Sequence, residues 1–267
     1  MKALITGASS GIGAAFARAL AAEKSDLVLL ARSKNKLEAL ANELVEQFGV
    51  QTQVIVQDLT VPNVGEVVEQ AVTDGPESVD LLINNAGFGD YGEFCDRPLS
   101  KNMEMLQLNI TALTDLTGRF LPAMQQRGSG GIINVASIAA FQPLPFMAVY
   151  AATKAYVLSF SEALWAENKD KGVNVLALCP GPTESEFFEV AEFPTATKDN
   201  FKGPSAVSAE KVVQEALKGL KKQQSNVVTG GVFNQVIVNV PRFSPRDWLV
   251  SAVSKQFSPA VLGKGKE

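Results

Sequence analysis

Short apolar runs alternate with helical patterns along most of the chain. The run at 26–31 shows no polar–apolar alternation, which predicts a parallel strand that is covered on both faces. Strands are predicted at 3–5, 26–31, 53–57, 79–83, 132–136, 173–178 and 226–229. Helices are predicted from residue 13 onward and at 37–47, 64–73, 101–126, 150–169, 208–223 and 245–257, the last of which is amphipathic.

This regular order of strand and helix predicts the fold class. Short strand–helix–strand units are typical of α/β proteins with an open parallel sheet and helices on both faces, here a doubly wound sheet of about seven strands. The length of 267 residues suits one large domain and no Pro- or Ser-rich linker divides it, so residues 1–267 are predicted to form a single domain. A ligand of such a sheet is expected across the carboxyl ends of its strands.

Composition excludes several classes of function. The chain contains no histidine, which excludes Ser-His-Asp triads, HExxH zinc sites and imidazole bases. A net charge of −4 and a charged fraction of 19% argue against nucleic acid as a partner. Cys95 and Cys179 are too few for a disulfide framework, and no apolar run reaches bilayer-spanning length. We therefore expect a cytoplasmic protein with no metal site and no transmembrane segment.

Three glycines closely follow the first predicted strand. Glycine at 7, 11 and 13 lets the backbone turn sharply and lets a bulky anion come close to N–H groups and the positive end of the next helix. The alternative is a turn that only lets the strand and the helix pack closely. A phosphate-bearing cofactor would contact Thr6, Gly7, Ser9, Ser10, Gly11, Ile12 and Gly13.

Arg32 stands at the end of the second predicted strand. In dinucleotide-binding folds an acidic residue at this place binds a free ribose 2′-hydroxyl, whereas arginine accommodates a 2′-phosphate. Because no carboxylate adjoins Arg32, and Lys34 and Lys36 follow it, the cofactor is predicted to be NADP rather than NAD; a solvated basic loop is the alternative. After the third strand, Asp58 can bond an adenine amino group and Leu59 can flank the ring, although Asp58 could equally cap the following turn.

Tyr150 and Lys154 lie four residues apart in a predicted helix and so share one face. A nearby ammonium lowers the pKa of a phenol from about 10 toward working pH, so tyrosine can serve as general acid and base without histidine. Ser137 ends the fifth strand, and Asn109 sits in an apolar helical stretch, where it either pins a helix distortion or serves a site. The alternative for the Tyr–Lys pair is an ordinary surface contact.

Together these motifs resemble the short-chain dehydrogenases/reductases over residues 3–183. The matching motifs lie at 6–13, 58–59, 84–87, 109, 137, 150–154 and 180–183. The resemblance implies a Rossmann-type fold and a catalytic tetrad of Asn109, Ser137, Tyr150 and Lys154. It implies that Tyr150 exchanges a proton with the substrate oxygen, to which Ser137 hydrogen-bonds. Lys154 would hold the nicotinamide ribose and depress the pKa of Tyr150, and Asn109 would hold a water that links Lys154 to solvent.

The resemblance also implies the rest of the cofactor site. The turn at 84–87 would support the cofactor, and the nicotinamide side would be lined by the segment at 180–183. The residues concerned are Asn85, Ala86, Gly87, Pro180, Gly181 and Thr183. The pair at 31–32 is similar to the NADP-preferring branch of the family, although Ser10 stands where some such members carry a basic residue. Many members are dimers or tetramers through two long helices, so a homodimer or homotetramer is expected.

Two segments are predicted to shape the substrate site. Residues 182–205 mix aromatic and polar residues without periodicity and are predicted to form a substrate lid. With the Phe- and Pro-rich stretch at 141–146 they indicate an apolar substrate, unless these side chains only pack. In a C-terminal extension at 241–267, the amphipathic part is predicted to cover the substrate site or an interface, since its few charges make a weak basic face for a membrane. This tail is faintly similar to a subgroup that includes long-chain 3-oxoacyl and steroid reductases.

The sequence thus predicts an NADP(H)-dependent oxidoreductase that interconverts a secondary alcohol and a ketone or aldehyde. Its partner would be a small apolar carbonyl compound or alcohol, such as an acyl-chain or steroid-like molecule. The alternative is a non-catalytic NADP-binding sensor or scaffold that keeps the fold. Tyr150 favours the enzyme, because a protein that only binds the cofactor has no need of this phenol.

Overall fold

One parallel sheet organises the protein, whose computed structural model describes residues 1–183, 186–194 and 207–259. Its strands are β1 (Lys2–Thr6), β2 (Asp26–Ala31), β3 (Thr52–Val56), β4 (Leu81–Asn84), β5 (Gly130–Val135), β6 (Val173–Cys179) and β7 (Asn226–Val228). Within the described ranges these seven strands pair in the order β3-β2-β1-β4-β5-β6-β7, all parallel. The predicted α/β doubly wound sheet of seven strands is confirmed.

Helices connect the strands at nearly the predicted places. They are α1 (Gly11–Ala22), α2 (Lys34–Phe48), α3 (Val64–Ala71), α4 (Leu99–Leu106), α5 (Leu113–Arg127), α6 (Ala148–Asn168), α7 (Phe187–Val190), α8 (Ala209–Lys221), α9 (Gly231–Asn239) and α10 (Arg246–Phe257). Where one continuous helix was predicted at 101–126, a π-helical turn at Gln107–Ala112 separates α4 from α5. None of the described helices has the length and apolar composition needed to cross a bilayer.

Two of these helices were not predicted. The first, α7, has only four residues, too few for a periodic pattern. The second, α9, is rich in valine and isoleucine, which disfavour helix because their branched side chains crowd the preceding turn. Tertiary contacts override that preference, since Asn234 and Val238 are buried on the inner side of α9.

Both faces of the sheet are covered by helices. Successive strand residues point to opposite faces, so Ile5 packs in the core formed with α1, α2 and α8, while Leu4 packs in the core formed with α3 and α5. Phe16 of α1 and Phe120 of α5 are fully buried in these two layers. The apolar runs of the strands, which show no alternation, are therefore explained by burial on both sides.

The chain reverses its direction across the sheet after β3. It returns to the centre, where β4 pairs with the free edge of β1, and then continues outward through β5, β6 and β7. The loops after β1 and β4 thus lead to opposite faces of the sheet and leave a crevice between their ends. The glycine turn and the 84–87 turn meet at this crevice.

Candidate active site

A cleft of about 450 Å³ runs along the carboxyl edge of the sheet. One end lies at Arg32 and Asp58, and the other at Tyr150 and Phe187. It brings together most of the predicted site residues, namely Gly7, Ser9, Ser10, Gly11, Ile12, Arg32, Asp58, Leu59, Asn85, Ala86, Gly87, Ser137, Tyr150, Lys154, Pro180, Gly181 and Thr183. The lining does not include the other three predicted residues, Thr6, Gly13 and Asn109.

The glycine turn forms a cradle that side chains would fill. Gly7 and Gly11 have φ of 64° and 52°, in the left-handed region that favours glycine. A Cβ atom on Gly13 would lie 2.2 Å from the carbonyl oxygen of Gly7. The Ser10 side chain makes no capping bond to α1, and the first turn of α1 contains no acidic residue. The positive end of this helix is therefore available to an anion, which fits a cofactor phosphate.

Thr6 and Asn85 hold this cradle together from behind. The buried Thr6 hydroxyl accepts hydrogen bonds from the backbone N–H groups of Asn85 (3.0 Å) and Ala86 (2.9 Å). The Asn85 side-chain amide donates to the carbonyl oxygens of Thr6 (2.9 Å) and Gly7 (3.2 Å). The Thr6 oxygen thus joins the turns after β1 and β4, and the predicted place of Thr6 in the cofactor site stays a prediction. Gly13 also lies behind the turn, where the absence of a Cβ atom leaves room for the carbonyl oxygen of Gly7.

The end of the cleft at Arg32 carries an unpaired cation. Arg32 is exposed and makes no ion pair with any described residue, whereas Lys36 pairs with Glu186 at 3.1 Å. Asp58 accepts hydrogen bonds from Thr60 N–H (2.9 Å) and Thr60 Oγ1 (2.8 Å), so it holds the following turn, as the capping alternative predicted. Burial would raise the pKa of Asp58, but the bonds from Thr60 and the charge of Arg32 lower it below its ordinary value. An anionic group at this end would meet the free charge of Arg32.

At the inner end, three predicted tetrad residues converge. The Ser137 hydroxyl lies near that of Tyr150 and acts to lower the pKa of the phenol. The Lys154 ammonium lies 5.8 Å from the centroid of the Tyr150 ring and donates to the carbonyl oxygen of Val135 at 2.7 Å. Tyr150 and Lys154 are only 8% and 6% exposed, so the alternative of an ordinary surface contact is excluded.

The protonation of this pair differs from the prediction. Burial raises the pKa of Tyr150 to about 12, although the bond with Ser137 acts in the opposite direction. Burial also lowers the pKa of Lys154 to about 8, which weakens it as a source of positive charge. In the chain by itself, burial thus shifts the pKa of the phenol in the direction opposite to that expected from Lys154. Tyr150 is a protonated phenol at neutral pH, ready to act as an acid.

Asn109 lies within the π-helical turn, buried behind the cleft. Its side-chain amide donates to Phe88 O (3.0 Å) and Thr153 Oγ1 (3.1 Å), and its oxygen accepts from Phe88 N–H (3.2 Å). A Cβ atom on Gly87 would lie 2.9 Å from the Asn109 oxygen and 3.5 Å from Lys154 Nζ. Asn109 therefore does both things that its position suggested: it accompanies a helix distortion and it supports the site.

An aromatic wall borders Tyr150. The sequence indicated its members Phe187 and Phe193 only as part of a segment without periodicity, and it did not indicate Tyr91. The Phe187 ring centroid lies 5.2 Å from that of Tyr150, and Phe193 stacks on Tyr91 at 4.7 Å. The Tyr91 hydroxyl donates to the carbonyl oxygen of Phe257 at 2.7 Å, which ties the end of α10 to the cleft. Leu249 and Val253 of α10 pack in the same apolar cluster as Tyr150, so the 245–257 segment lies beside this end of the cleft. That position agrees with the first of the two predicted roles, a cover over the substrate site or an interface, which both stay predictions.

The predicted lid at 182–205 is only partly described. Residues 184–185 and 195–205 lie outside the described residues, as do 260–267 of the C-terminal extension. Ion pairs between side chains hold the described part. Glu192 pairs with Arg97 at 2.7 Å and with Lys101 at 2.6 Å, and both of these cations also pair with Asp90. Hydrogen bonds from Lys101 and Arg97 lower the pKa of Glu192 to about 2. Sequence reasoning missed this network because its members are up to 102 positions apart.

The buried Lys154 has a testable consequence for stability. The folded chain releases the Lys154 proton near pH 8, whereas the unfolded chain keeps it to about 10.5, so the unfolded state binds more protons between these values. Stability should therefore rise with pH above 8, by up to about 1.4 kcal/mol per pH unit from this group. In urea unfolding at pH 7 and pH 9, Lys154→Met should lack this gain and be the more stable protein at pH 7. Lys222→Met, at an exposed lysine, is the control; equal pH responses in both variants would contradict the assignment.

An open parallel sheet with a glycine turn at its reversal point defines a dinucleotide-binding α/β protein. Residues 1–193 match the family model described as short chain dehydrogenase. The chain belongs to the short-chain dehydrogenase family, whose members are oxidoreductases.

Similar proteins agree with this membership. A protein of Anas platyrhynchos named very-long-chain 3-oxoacyl-CoA reductase is 33% identical over 270 residues, which cover 98% of this chain and 82% of the relative. Among solved structures, a short-chain dehydrogenase from Sphingobium yanoikuyae in complex with NADPH has a TM-score of 0.80 at 33% identity and covers 96% of this chain and 95% of its own. The bulky-bulky ketone specific alcohol dehydrogenase from Comamonas testosteroni has a TM-score of 0.76 at 32% identity, covering 94% and 93%.

Proposed function

We propose that this protein is an NADPH-dependent carbonyl reductase that interconverts an apolar ketone or aldehyde and the corresponding alcohol. The observation that carries the proposal is the buried phenol of Tyr150, 5.8 Å from the Lys154 ammonium (measured to the ring centroid) and next to the Ser137 hydroxyl. They lie in the same cleft as the glycine cradle and the unpaired Arg32. A proton donor and a phosphate site in one cleft serve a hydride transfer better than they serve binding alone.

The residues of the cleft fit NADPH along its length. The cradle that a Cβ atom would fill suits the pyrophosphate, and Arg32 suits the 2′-phosphate of the adenosine ribose. Asp58 and Leu59 would hold the adenine, Lys154 the nicotinamide ribose, and the 180–183 segment the nicotinamide side. When bound, NADPH supplies the hydride that reaches the carbonyl carbon.

Proton transfer in this proposal is done by the chain itself. Tyr150, protonated at neutral pH, donates its proton to the substrate oxygen while the Ser137 hydroxyl donates a hydrogen bond to that oxygen. The phenolate that remains lies near the Lys154 ammonium, whose charge stabilises it. Asn109 keeps the 87–88 backbone beside Lys154 through its bonds to Phe88.

The substrate is proposed to be apolar and bulky. Next to Tyr150 the cleft is lined by aromatic and aliphatic side chains, namely Phe88, Leu144, Met147, Phe187, Phe188, Phe193 and Phe257. Burial of apolar surface against such a wall contributes roughly 25 cal/mol per Å². The names of the relatives, a 3-oxoacyl-CoA reductase and a bulky-bulky ketone specific dehydrogenase, support a ketone that carries a long or bulky apolar group.

NADPH consumption over a panel of such ketones tests the proposal. We expect turnover of 3-oxoacyl thioesters or bulky ketones, and little turnover of small hydrophilic ones. The second candidate, a non-catalytic NADP-binding sensor, predicts NADPH binding without turnover on any member of the panel. That outcome would reject the reductase.

Arg32→Asp is expected to reverse the cofactor preference. The carboxylate would repel the 2′-phosphate and accept a hydrogen bond from the free 2′-hydroxyl of NADH, so the ratio of kcat/KM for NADPH over NADH should fall by roughly 100-fold or more. The measurement is initial rates with each cofactor. Lys34→Asp is the matched control, because Lys34 follows Arg32 closely but does not line the cleft. An unchanged ratio in Arg32→Asp would refute the role of Arg32.

We also propose a homodimer or homotetramer in the cytoplasm. Leu99 and Met103 of α4 and Tyr156 of α6 are exposed apolar residues on the two long helical segments that would meet a second copy. Light scattering coupled to size exclusion, and fractionation of cells that produce the protein, test these two statements; a monomer at micromolar concentration would refute the first.

A further inference from the structure

A second apolar surface lies outside the cleft, on the C-terminal elements. Of the sixteen large hydrophobic side chains exposed in the described ranges, six fall within the 17 residues 232–248. We call them the C-terminal apolar patch: Val232, Phe233, Val236, Val240, Phe243 and Trp248. Phe243 is 87% exposed and Val232 is 80% exposed, which is unusual for side chains of this size.

Helix α9 exposes several large apolar side chains on one side. At 100° per residue, Val232, Phe233, Val236 and Val240 fall within one 100° arc. Asn234 instead points inward, where its side-chain amide donates to Thr229 O at 2.7 Å. The inner side of α9 thus carries Asn234 and Val238, whereas Val232, Phe233 and Val236 are exposed.

Charge distinguishes this segment from the rest of the chain. The 37 residues from 231 to 267 contain five basic and two acidic residues, a net charge of +3, whereas the whole chain carries −4. Arg242 adjoins Phe243, and Arg246 is separated from Trp248 by the exposed Asp247. Both arginines are exposed and make no ion pair with the described residues. Exposed aromatic residues among unpaired cations are typical of surfaces that bind anionic lipid.

A second copy of the chain fits this surface poorly. In a twofold dimer the patch would meet itself, which would bring Arg242 and Arg246 near their own counterparts in an apolar contact. Like charges in such a contact oppose association. An anionic bilayer, in contrast, offers both an apolar layer for the aromatic side chains and phosphates for the arginines.

The patch also adjoins a groove that shares a lining residue with the main cleft. A mainly apolar groove of about 640 Å³ is lined by Arg242, Arg246 and Leu249 from the C-terminal elements and by Leu144 from the loop before α6. Leu144 also lines the main cleft. If the substrate is apolar, as in the proposed function, docking at the patch would bring the cleft close to the phase in which that substrate dissolves.

We propose that the C-terminal apolar patch binds the surface of an anionic lipid bilayer, with Phe233, Phe243 and Trp248 inserted among the lipids and Arg242 and Arg246 at the headgroup phosphates. The contact is peripheral and reversible. It concerns a face separate from the cofactor cradle, so it is independent of whether the enzyme reduces ketones, and its test requires no turnover.

The test is co-sedimentation of the full chain with phosphatidylcholine vesicles that contain or lack phosphatidylserine. Wild-type protein should bind vesicles with phosphatidylserine roughly tenfold more tightly, and raised salt should weaken this binding. The double variant Phe233→Ser/Phe243→Ser should lose roughly tenfold or more in vesicle affinity, since two apolar side chains no longer insert. Phe94→Ser is the matched control, because Phe94 is 57% exposed but lies outside the patch.

Two further measurements separate the contributions of the arginines and of the aromatic side chains to lipid binding. Arg242→Glu/Arg246→Glu keeps the apolar residues and should abolish the preference for phosphatidylserine. In a Trp165→Phe background, brominated lipid should quench the fluorescence of Trp248. Equal vesicle binding by wild type and the Phe233→Ser/Phe243→Ser variant, or no binding by either, would overturn the proposal. So would a lipid-independent dimer that this variant abolishes, which would assign the patch to a second copy.

Discussion

Tyr150→Phe is expected to lower kcat for ketone reduction by roughly 10²–10⁴-fold while leaving the Kd for NADPH near the wild-type value. The substitution removes only the hydroxyl, so the ring still packs against Phe187 and the aromatic wall is kept. What is lost is the proton that would go to the substrate oxygen and the partner of the Ser137 hydroxyl. Steady-state rates and fluorescence titration of NADPH measure the two quantities separately.

Tyr156→Phe provides the control for this result. Tyr156 lies on the same helix, α6, but its ring is exposed and its hydroxyl lies 2.9 Å from that of Thr114. Removing that hydroxyl alters a surface hydrogen bond, so kcat should stay within about twofold of wild type, in line with the small net value of such bonds. Retention of most activity in Tyr150→Phe, with Tyr156→Phe unchanged, would refute Tyr150 as the acid.

Gly13→Ala is expected to weaken NADPH binding by roughly 10- to 100-fold, with a loss of thermal stability. The added Cβ would lie 2.2 Å from the carbonyl oxygen of Gly7 and 2.7 Å from the side-chain amide of Asn85. Neither can retreat freely, because the Asn85 amide also bonds the carbonyl oxygens of Thr6 and Gly7. The turn must therefore move, and the cradle that suits a pyrophosphate moves with it. Isothermal titration with NADPH and thermal unfolding measure the two effects.

Gly118→Ala is the matched glycine control. Gly118 lies within α5, and a Cβ atom there would meet nothing within 4 Å. Alanine is the better helix former, so this variant should bind NADPH normally and gain up to about 1 kcal/mol of stability. Normal NADPH affinity in Gly13→Ala would show that the close contact behind the turn is not required for the cofactor site.

The features that the sequence predicted well are those encoded over short distances. Buried strands, the glycine turn after β1 and the four-residue spacing of Tyr150 and Lys154 each depend on neighbouring residues and on the repeat of one helix or strand. The arrangement of these motifs along the chain sufficed to predict the parallel sheet and the family. The motifs that follow the strands lie together at one edge of the sheet, because parallel strands all end on the same side.

Other features depend on contacts that no local pattern contains. The π-helical turn at Asn109 is accompanied by bonds to Phe88 and Thr153, which are 21 and 44 positions away. The helical state of α9 contradicts the local preference of its valines and isoleucine, and buried Asn234 and Val238 show where tertiary contacts hold it. The amphipathic pattern at 245–257 placed five apolar residues on one face, of which Leu249 and Val253 are buried but Trp248 and Ala252 are exposed. Nothing in that pattern indicated the preceding helix, α9.

By itself, then, the sequence determined the order of strands and helices, the cradle for a phosphate and the residue types that meet beside Lys154. Only the tertiary structure decided the pKa values of Tyr150 and Lys154. It buries the phenol and the ammonium together, which raises the pKa of Tyr150 to about 12 and lowers that of Lys154 to about 8, contrary to what their spacing suggested. The physical reason is that spacing sets which groups are near each other, whereas solvation depends on everything packed around them.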